Sequence, residues 1–404
     1  MLRSTYSDRT QLRKPGSVSR RSVGQPSCPG TGIGCGARRS LPSSGPIVQS
    51  VRDRASHVFT RVVLLGGALA VLWLVVASGS AVAMAKRVRS ITVEWVGDIA
   101  LSTQRGLPPG GLDRALAPVR GLLRDAQVTM GNLEGTLSVG GSSKCGGLGG
   151  GTCFAFQAPP STADELRALG FDVVNLANNH SLDYGYSGRQ QTISALNRAG
   201  IAHTGLPGEI TYRRFAGVRV AFLGFAPYPV DADLLDIPAA QALVRQARRH
   251  ASLVVVVIHA GAEGAGAGHT PYGSEYYLGE DRGNPRAFAH AVIDAGASIV
   301  LGSGPHVIRG VERYRGRLIA YSLGNFVGYY TLSDGGVLAE SAILRVTLGN
   351  DGRVLAGRWI SIHLDQGLPR PEPSNASARL MNLLSHKDFP TGHFDVGPRG
   401  FLHP

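Results

Sequence analysis

From residue 91 onward the apolar positions switch repeatedly between two spacings. Ile91–Val96 alternates apolar and polar side chains as a strand does, and breaks at Gly97-Asp98. Leu112, Leu116, Val119, Leu122 and Leu123 recur at helical spacing across Leu112–Arg124, and Gln127–Met130 predicts a second short strand. Ser161-Thr-Ala-Asp164-Glu165 carries capping residues for a helix that stops at Gly170. The strand Asp172–Ala177 comes next, then helix Gly188–Ala199, strand Val218–Gly224 and helix Ala239–His250. Strand Leu253–Ile258, helix Asn284–Ala295 and strand Ser298–Leu301 complete the alternation. Such a pattern predicts an α/β fold with parallel strands. After it the sequence predicts strands alone, over Val307–Arg313, Arg317–Ser322, Ala342–Leu348 and Arg353–Leu364, with hairpin turns at Tyr314-Arg-Gly316 and Asn350-Asp-Gly352. Residues 366–404 are Pro-rich and mostly polar and are expected as a tail, with a short helix near Ala376–Leu384. No internal repeat is present.

Before residue 90 the character is different. Residues 1–57 mix Arg, Ser, Gly and Pro with few large apolar side chains, a composition that predicts disorder. Val62–Ala85 is apolar and uncharged throughout, and it exceeds the ~20 residues that a bilayer requires. Location also settles what the formal charge of +13 means. Residues 1–61 hold eleven Arg or Lys against two Asp, and Lys86, Arg87 and Arg89 add three, which leaves about +1 for residues 90–404. The basic charge flanks the apolar segment and forms no stripe on the large domain, so nucleic acid is not an expected partner. The heavier basic flank puts the N-terminus in the cytoplasm and residues 86–404 outside. Ala81-Val-Ala83 and Ala83-Met-Ala85 resemble signal-peptidase sites, so secretion after cleavage is the alternative to a single-pass anchor. On the exported side, Cys145 and Cys153 flank a Gly-rich stretch and are expected to form a disulfide.

The candidate chemistry lies at the ends of the strands. Asp98, Asn132 with Glu134, Asn179 with His180, His259, and His306 each follow an apolar strand. Strand C-termini in one sheet converge on a common edge, where open α/β sheets bind their ligands. Two carboxylates, an amide oxygen and imidazoles make a mixed oxygen and nitrogen set without thiolate. Such a set suits manganese, iron or zinc, and two adjacent ions can share it.

Gly97-Asp98, Asn132-Leu-Glu134, Leu176-Ala-Asn-Asn-His180 with Asp183-Tyr-Gly185, His259, Gly304-Pro-His306-Val and Tyr321-Ser-Leu-Gly-Asn325-Phe together resemble the signature of the CapA family. These are poly-γ-glutamate capsule synthesis proteins, a branch of the calcineurin-like metallophosphoesterases. The resemblance covers roughly Ile91 to Leu364 and implies a four-layer αββα sandwich with a dinuclear metal site at the edge of its sheets. By the same resemblance Asp98, Glu134, Asn179, His259 and His306 match metal ligands. His180 matches the proton donor to a leaving oxygen, a role that suits an imidazole beside a metal site. Two positions depart from the pattern. Ala100 stands where many phosphoesterases have a second His, and Gly304 stands where they have the first imidazole of a His-x-His pair.

The expected protein is therefore a membrane-anchored, extracytoplasmic CapA-like protein of capsule or envelope polymer synthesis with a metal-dependent phosphoesterase-type site. Its expected partners are an anionic envelope polymer or its precursor, the membrane and other capsule-synthesis subunits. The alternative is a non-catalytic subunit that binds the polymer or its synthase and keeps the fold with a thinned metal site. An envelope nucleotidase is a third reading, but no separate nucleobase-binding domain or aromatic clamp is visible in the sequence.

Overall fold

The computed structural model describes residues 89–146 and 153–403. The basic tail 1–57 and the apolar segment 62–85 lie outside the described residues. Among the described residues, no helix is long and apolar enough to cross a membrane.

Two sheets face one another. The first runs in the order Leu368–Pro371, Val354–Asp365, Glu340–Gly349, Ser90–Ala100, Val128–Glu134, Val173–Asn175 and Ala202–Thr204, with Asn325–Val327 pairing alongside the end of Ser90–Ala100. The second runs Val311–Tyr314, Arg317–Ala320, Ile299–Ser303, Leu253–His259, Val218–Phe225 and Thr211–Phe215. The strands that carry candidate residues pair in parallel, Ser90–Ala100 with Val128–Glu134 and Leu253–His259 with Ile299–Ser303, so their C-terminal ends lie at the same edge.

Side-chain alternation along these strands builds the layers. Ile91, Val93, Trp95, Val128 and Met130 of the first sheet share one buried core with Phe222, Val255, Val257, Ile299 and Leu301 of the second. The opposite face of the first sheet, through Val96, Ile99 and Val174, packs on Leu166, Leu169, Ala195 and Leu196 of the helices Thr162–Leu169 and Gly185–Ala199. The opposite face of the second, through Val254, Val256 and Val300, packs on Val244, Phe288 and Val292 of the helices Ile237–His250 and Pro285–Ala295. Helix, sheet, sheet and helix thus form four layers around three apolar seams. Trp95 ties the two sheets directly, its Nε1 donating to the Gly302 carbonyl at 3.1 Å.

Three expectations come out differently. The Leu112–Arg124 helix is only Gly111–Ala115 followed by turns and a 3-10 turn at Leu122–Arg124. Pro118 lacks the N–H a continuing helix needs and disfavours helical backbone at Ala117. Ser161 makes no side-chain cap, and Glu165 instead accepts from the Leu112 backbone N–H at 2.6 Å, joining two helices. Residues expected as a C-terminal tail fold onto the body. Leu368–Pro371 extends the first sheet, and helix Ala376–Asp388 sends Ala378, Met381 and Leu384 into the core between the sheets.

Candidate metal centre

Strand ends of the two sheets meet at one edge. Asp98 is in register with Asn132 on one side and Asn325 on the other, and Ala100 is in register with Glu134. The second sheet contributes His259, in register with Ser303. Gly97 lets the strands close here, because a Cβ at that position would lie 1.8 Å from the Gly324 carbonyl oxygen. After Ser303 the Gly304-Pro305 turn brings His306 back in left-handed backbone, φ 59°.

Asn132 is the hub. Its Nδ2 donates to Asp98 Oδ1 at 2.8 Å and to Glu134 Oε1 at 3.2 Å, and lies 3.2 Å from His259 Nδ1. Its own Oδ1 accepts from Asn175 Nδ2 at 2.8 Å and Asn178 Nδ2 at 3.3 Å. His306 Nδ1 lies 3.2 Å from Asp98 Oδ2 and 2.9 Å from Asn325 Oδ1. Donor atoms from Asp98, Glu134 and His306 all fall within 4.8 Å of one another.

These three residues fit a divalent cation. Glu134 Oε2 is buried with no hydrogen-bond partner, an acceptor that the neighbouring amides leave unsatisfied. Burial, and then the nearby Asp98 carboxylate, push the Glu134 carboxyl well above the usual range. Burial works against a charged His306, but Glu134, Asp98 and Glu263 outweigh it and push its pKa up to about 10. Without an ion the acidic pair therefore keeps a proton on the imidazole, the nearest available cation.

The other half of the site differs. His259 is fully buried, with Nδ1 3.5 Å from Glu134 Oε1 and 3.3 Å from Ser303 Oγ. Its Nε2 faces the Arg282 guanidinium, 3.3 Å from Nη2. Arg282 also pairs through Nη1 with Glu263, which in turn takes Asn179 Nδ2 at 3.5 Å and lies 3.8 Å from His306 Nε2. Burial, then the Arg282 and His306 charges, hold the His259 pKa well below that of a free imidazole. The loop from Ala260 to Gly283 that supplies Glu263 and Arg282 is clamped by Glu275, whose carboxylate takes both terminal nitrogens of the buried Arg309 at 2.8 and 2.6 Å.

A cleft of about 410 Å³ opens over this half, lined by Lys144, Asn179, His180, Tyr228, Glu263 and Arg282 among others. His180 Nδ1 is 2.8 Å from Asp183 Oδ2, and its ring stacks on Phe156 at 4.4 Å. That pairing fixes the imidazole and leaves Nε2 as the exchanging nitrogen. Burial lowers the His180 pKa against the opposing pull of Asp183. Lys144 Nζ reaches Asp183 Oδ1 at 2.7 Å and the Asn179 carbonyl at 2.9 Å. Lys144 adjoins the Cys145–Cys153 disulfide, in which the Cα atoms are 5.7 Å apart, as expected from the sequence.

Of the five expected ligands, then, Asp98, Glu134 and His306 gather at one point. His259 touches their rim but turns one nitrogen to Arg282, and Asn179 stands in the cleft wall with its Oδ1 buried and unpartnered. The sequence named Asn132 among the strand-end groups and Asp183 within the motif but assigned neither a ligand or catalytic role, and it did not single out Asn175, Lys144, Glu263 or Arg282. For Asp183 a signal existed, since it follows His180 by three residues within the same motif. Arg282 is one basic residue in a polar loop, with nothing in its neighbourhood to single it out.

The chain is similar to known proteins over the residues that build this edge. A family model described as "Bacterial capsule synthesis protein PGA_cap" matches residues 92–330. The chain is 28% identical over 261 residues to the PGA biosynthesis protein CapA of Bacillus subtilis (strain 168), covering 59% of this chain and 63% of that protein. To the capsule biosynthesis protein CapA of Bacillus anthracis it is 32% identical over 244 residues, 54% of each chain. The chain thus spans 54–63% of the length of these relatives. Among solved structures, a putative 5'-nucleotidase from Staphylococcus aureus in complex with alpha-ketoglutarate superposes with a TM-score of 0.41 at 15% identity, over 70% of this chain and 54% of that one. That last likeness is too slight to argue from.

Proposed function

The chain belongs to the bacterial capsule synthesis protein family, and on that premise we propose that it works outside the cytoplasm, anchored by residues 62–85, in making a capsule or envelope polymer. We further propose that it does so through a metal-dependent phosphoesterase-type site. One observation carries this reading: Asp98, Glu134 and His306 converge within 4.8 Å, and Glu263, which touches His306, also lines the cleft that holds the paired His180 and Asp183.

A divalent ion at that trio (manganese, iron or zinc by its oxygen and nitrogen donors) would supply charge to polarise a phosphoryl oxygen. The chain's own residues do the rest. Asn132 holds Asp98 and Glu134 in place. His180, oriented by Asp183, delivers a proton to the departing oxygen through Nε2. Lys144 and Arg282 draw the anionic groups of an envelope polymer or its precursor into the cleft. Other capsule-synthesis subunits would share the membrane surface with it.

The test uses the full chain in detergent with manganese and a generic phosphodiester. Asp98→Ala should lose both bound metal and turnover, while His180→Ala should keep its metal and lose turnover at least 100-fold. Turnover that survives complete chelation would sink the enzyme reading. A second reading, a non-catalytic polymer- or synthase-binding subunit, is favoured by Ala100 and Gly304, which leave the trio with three side-chain donors. Polymer binding undiminished in metal-free His180→Ala would select it.

A further inference from the structure

The metal reading above, on which this inference rests, leaves His259 and Asn179 without an ion of their own. His259 already faces a cation, and Asn179 faces that cation's acidic partner. Arg282 is 1% exposed, and its guanidinium lies 3.3 Å from His259 Nε2 and pairs with Glu263, the acceptor of the Asn179 amide. Tyr228 lies 5.9 Å beneath it, and Glu280 stands 3.9 Å away. A zinc-like ion bound to His259 Nε2 would sit about 2.0–2.1 Å from that nitrogen. It would be pressed against a guanidinium that is protonated at any working pH.

Gly304 closes the other approach. Its φ is +110°, and a Cβ there would meet the Ala260 backbone nitrogen at 2.9 Å. The strand end therefore adds no imidazole beside His259, so a second ion would have to draw on Glu263 and the unpartnered Asn179 Oδ1, on the ground that Arg282 holds.

We infer that the centre takes one divalent ion, at Asp98, Glu134 and His306, and that Arg282 is the permanent second cation. Its guanidinium occupies the ground between His259 and Glu263, bars a second ion from it, and presents fixed donors to anionic oxygens of a substrate in the cleft it lines. A phosphoryl or carboxylate group would then bridge a metal on one side and an arginine on the other.

Counting bound manganese in the full chain tests this directly. The measurement is made in a His386→Ala background, because His386, His393 and Asp395 form a surface trio that is itself able to hold an ion. One tightly bound ion with an uncoupled electron paramagnetic spectrum is expected, and Arg282→Lys, which keeps the charge, should still hold one. Arg282→Ala should rise to two ions per chain with a spin-coupled spectrum. Two coupled ions in the protein with Arg282 intact would overturn the inference, as would a count of one in a folded Arg282→Ala. No ion in either protein would instead refute the metal reading, and this one with it.

Discussion

Glu94 and Glu134 lie on neighbouring parallel strands of one sheet, both fully buried, both with a carboxyl that burial pushes upward. Around them the chemistry diverges. Glu94 meets Arg345 at 2.8 Å, and Thr129 adds a hydroxyl at 3.5 Å. Glu134 faces a second carboxylate, a protonated imidazole and an amide, and one of its oxygens has no partner. Burial and a displaced pKa are common to a structural ion pair and to a candidate active centre. What separates them is whether the fold itself supplies the compensating charge or leaves the demand open for something that binds.

The sharpest way to break that comparison is to neutralise Glu134. Glu134→Gln should weaken manganese binding at least 100-fold by equilibrium titration, the loss of a ligand outweighing the 10–100-fold typical of residues behind one. The metal-free protein should lose no stability, since the change also relieves repulsion from Asp98. Unchanged manganese binding would erase the distinction between the two glutamates. Arg345→Met makes the opposite prediction. It strands a buried carboxylate and should cost about 3 kcal/mol in chemical denaturation at pH 7.5, while manganese binding stays as it was.

A smaller effect follows from pH. Folded Glu94 is pushed up to about 7 from an ordinary value of 4.5, so the folded state binds the proton more tightly than the unfolded chain. Its contribution is complete below about pH 4.5 and is lost as pH rises through 7. Stability should therefore fall between pH 5 and 8 by about 2 kcal/mol on this residue's account. Glu94→Gln should flatten that part of the slope, and a slope unchanged in the variant would refute the assignment.

Much of this was legible in the sequence because strand periodicity and chemistry coincide. Asp98, Glu134, His259 and His306 stand out where an apolar run ends, and parallel pairing then carries them to one edge. Their division into two unlike halves was not legible. It depends on Arg282 and Glu263, which arrive on a loop without periodicity and are placed by the Glu275–Arg309 pair across 34 residues. Gly304 was readable as a missing imidazole, but its backbone angle, which decides whether an imidazole fits, exists only in three dimensions. Residues 366–404 misled for a related reason. Their apolar positions are sparse, yet Trp359 donates to Ser377 at 3.0 Å and Met381 is wholly buried, contacts that only the finished sheets make available.

The bond between Cys145 and Cys153 has an effect beyond local tethering. Lys144, next to that crosslink, holds Asp183 by its backbone N–H at 2.8 Å and its Nζ at 2.7 Å, and Asp183 in turn pairs with the imidazole of His180. A thiol-reducing milieu would remove the covalent tie beside these contacts without touching either sheet. The trio of Asp98, Glu134 and His306 has no contact with the crosslink, so cysteines that have not joined would bear on the cleft wall alone.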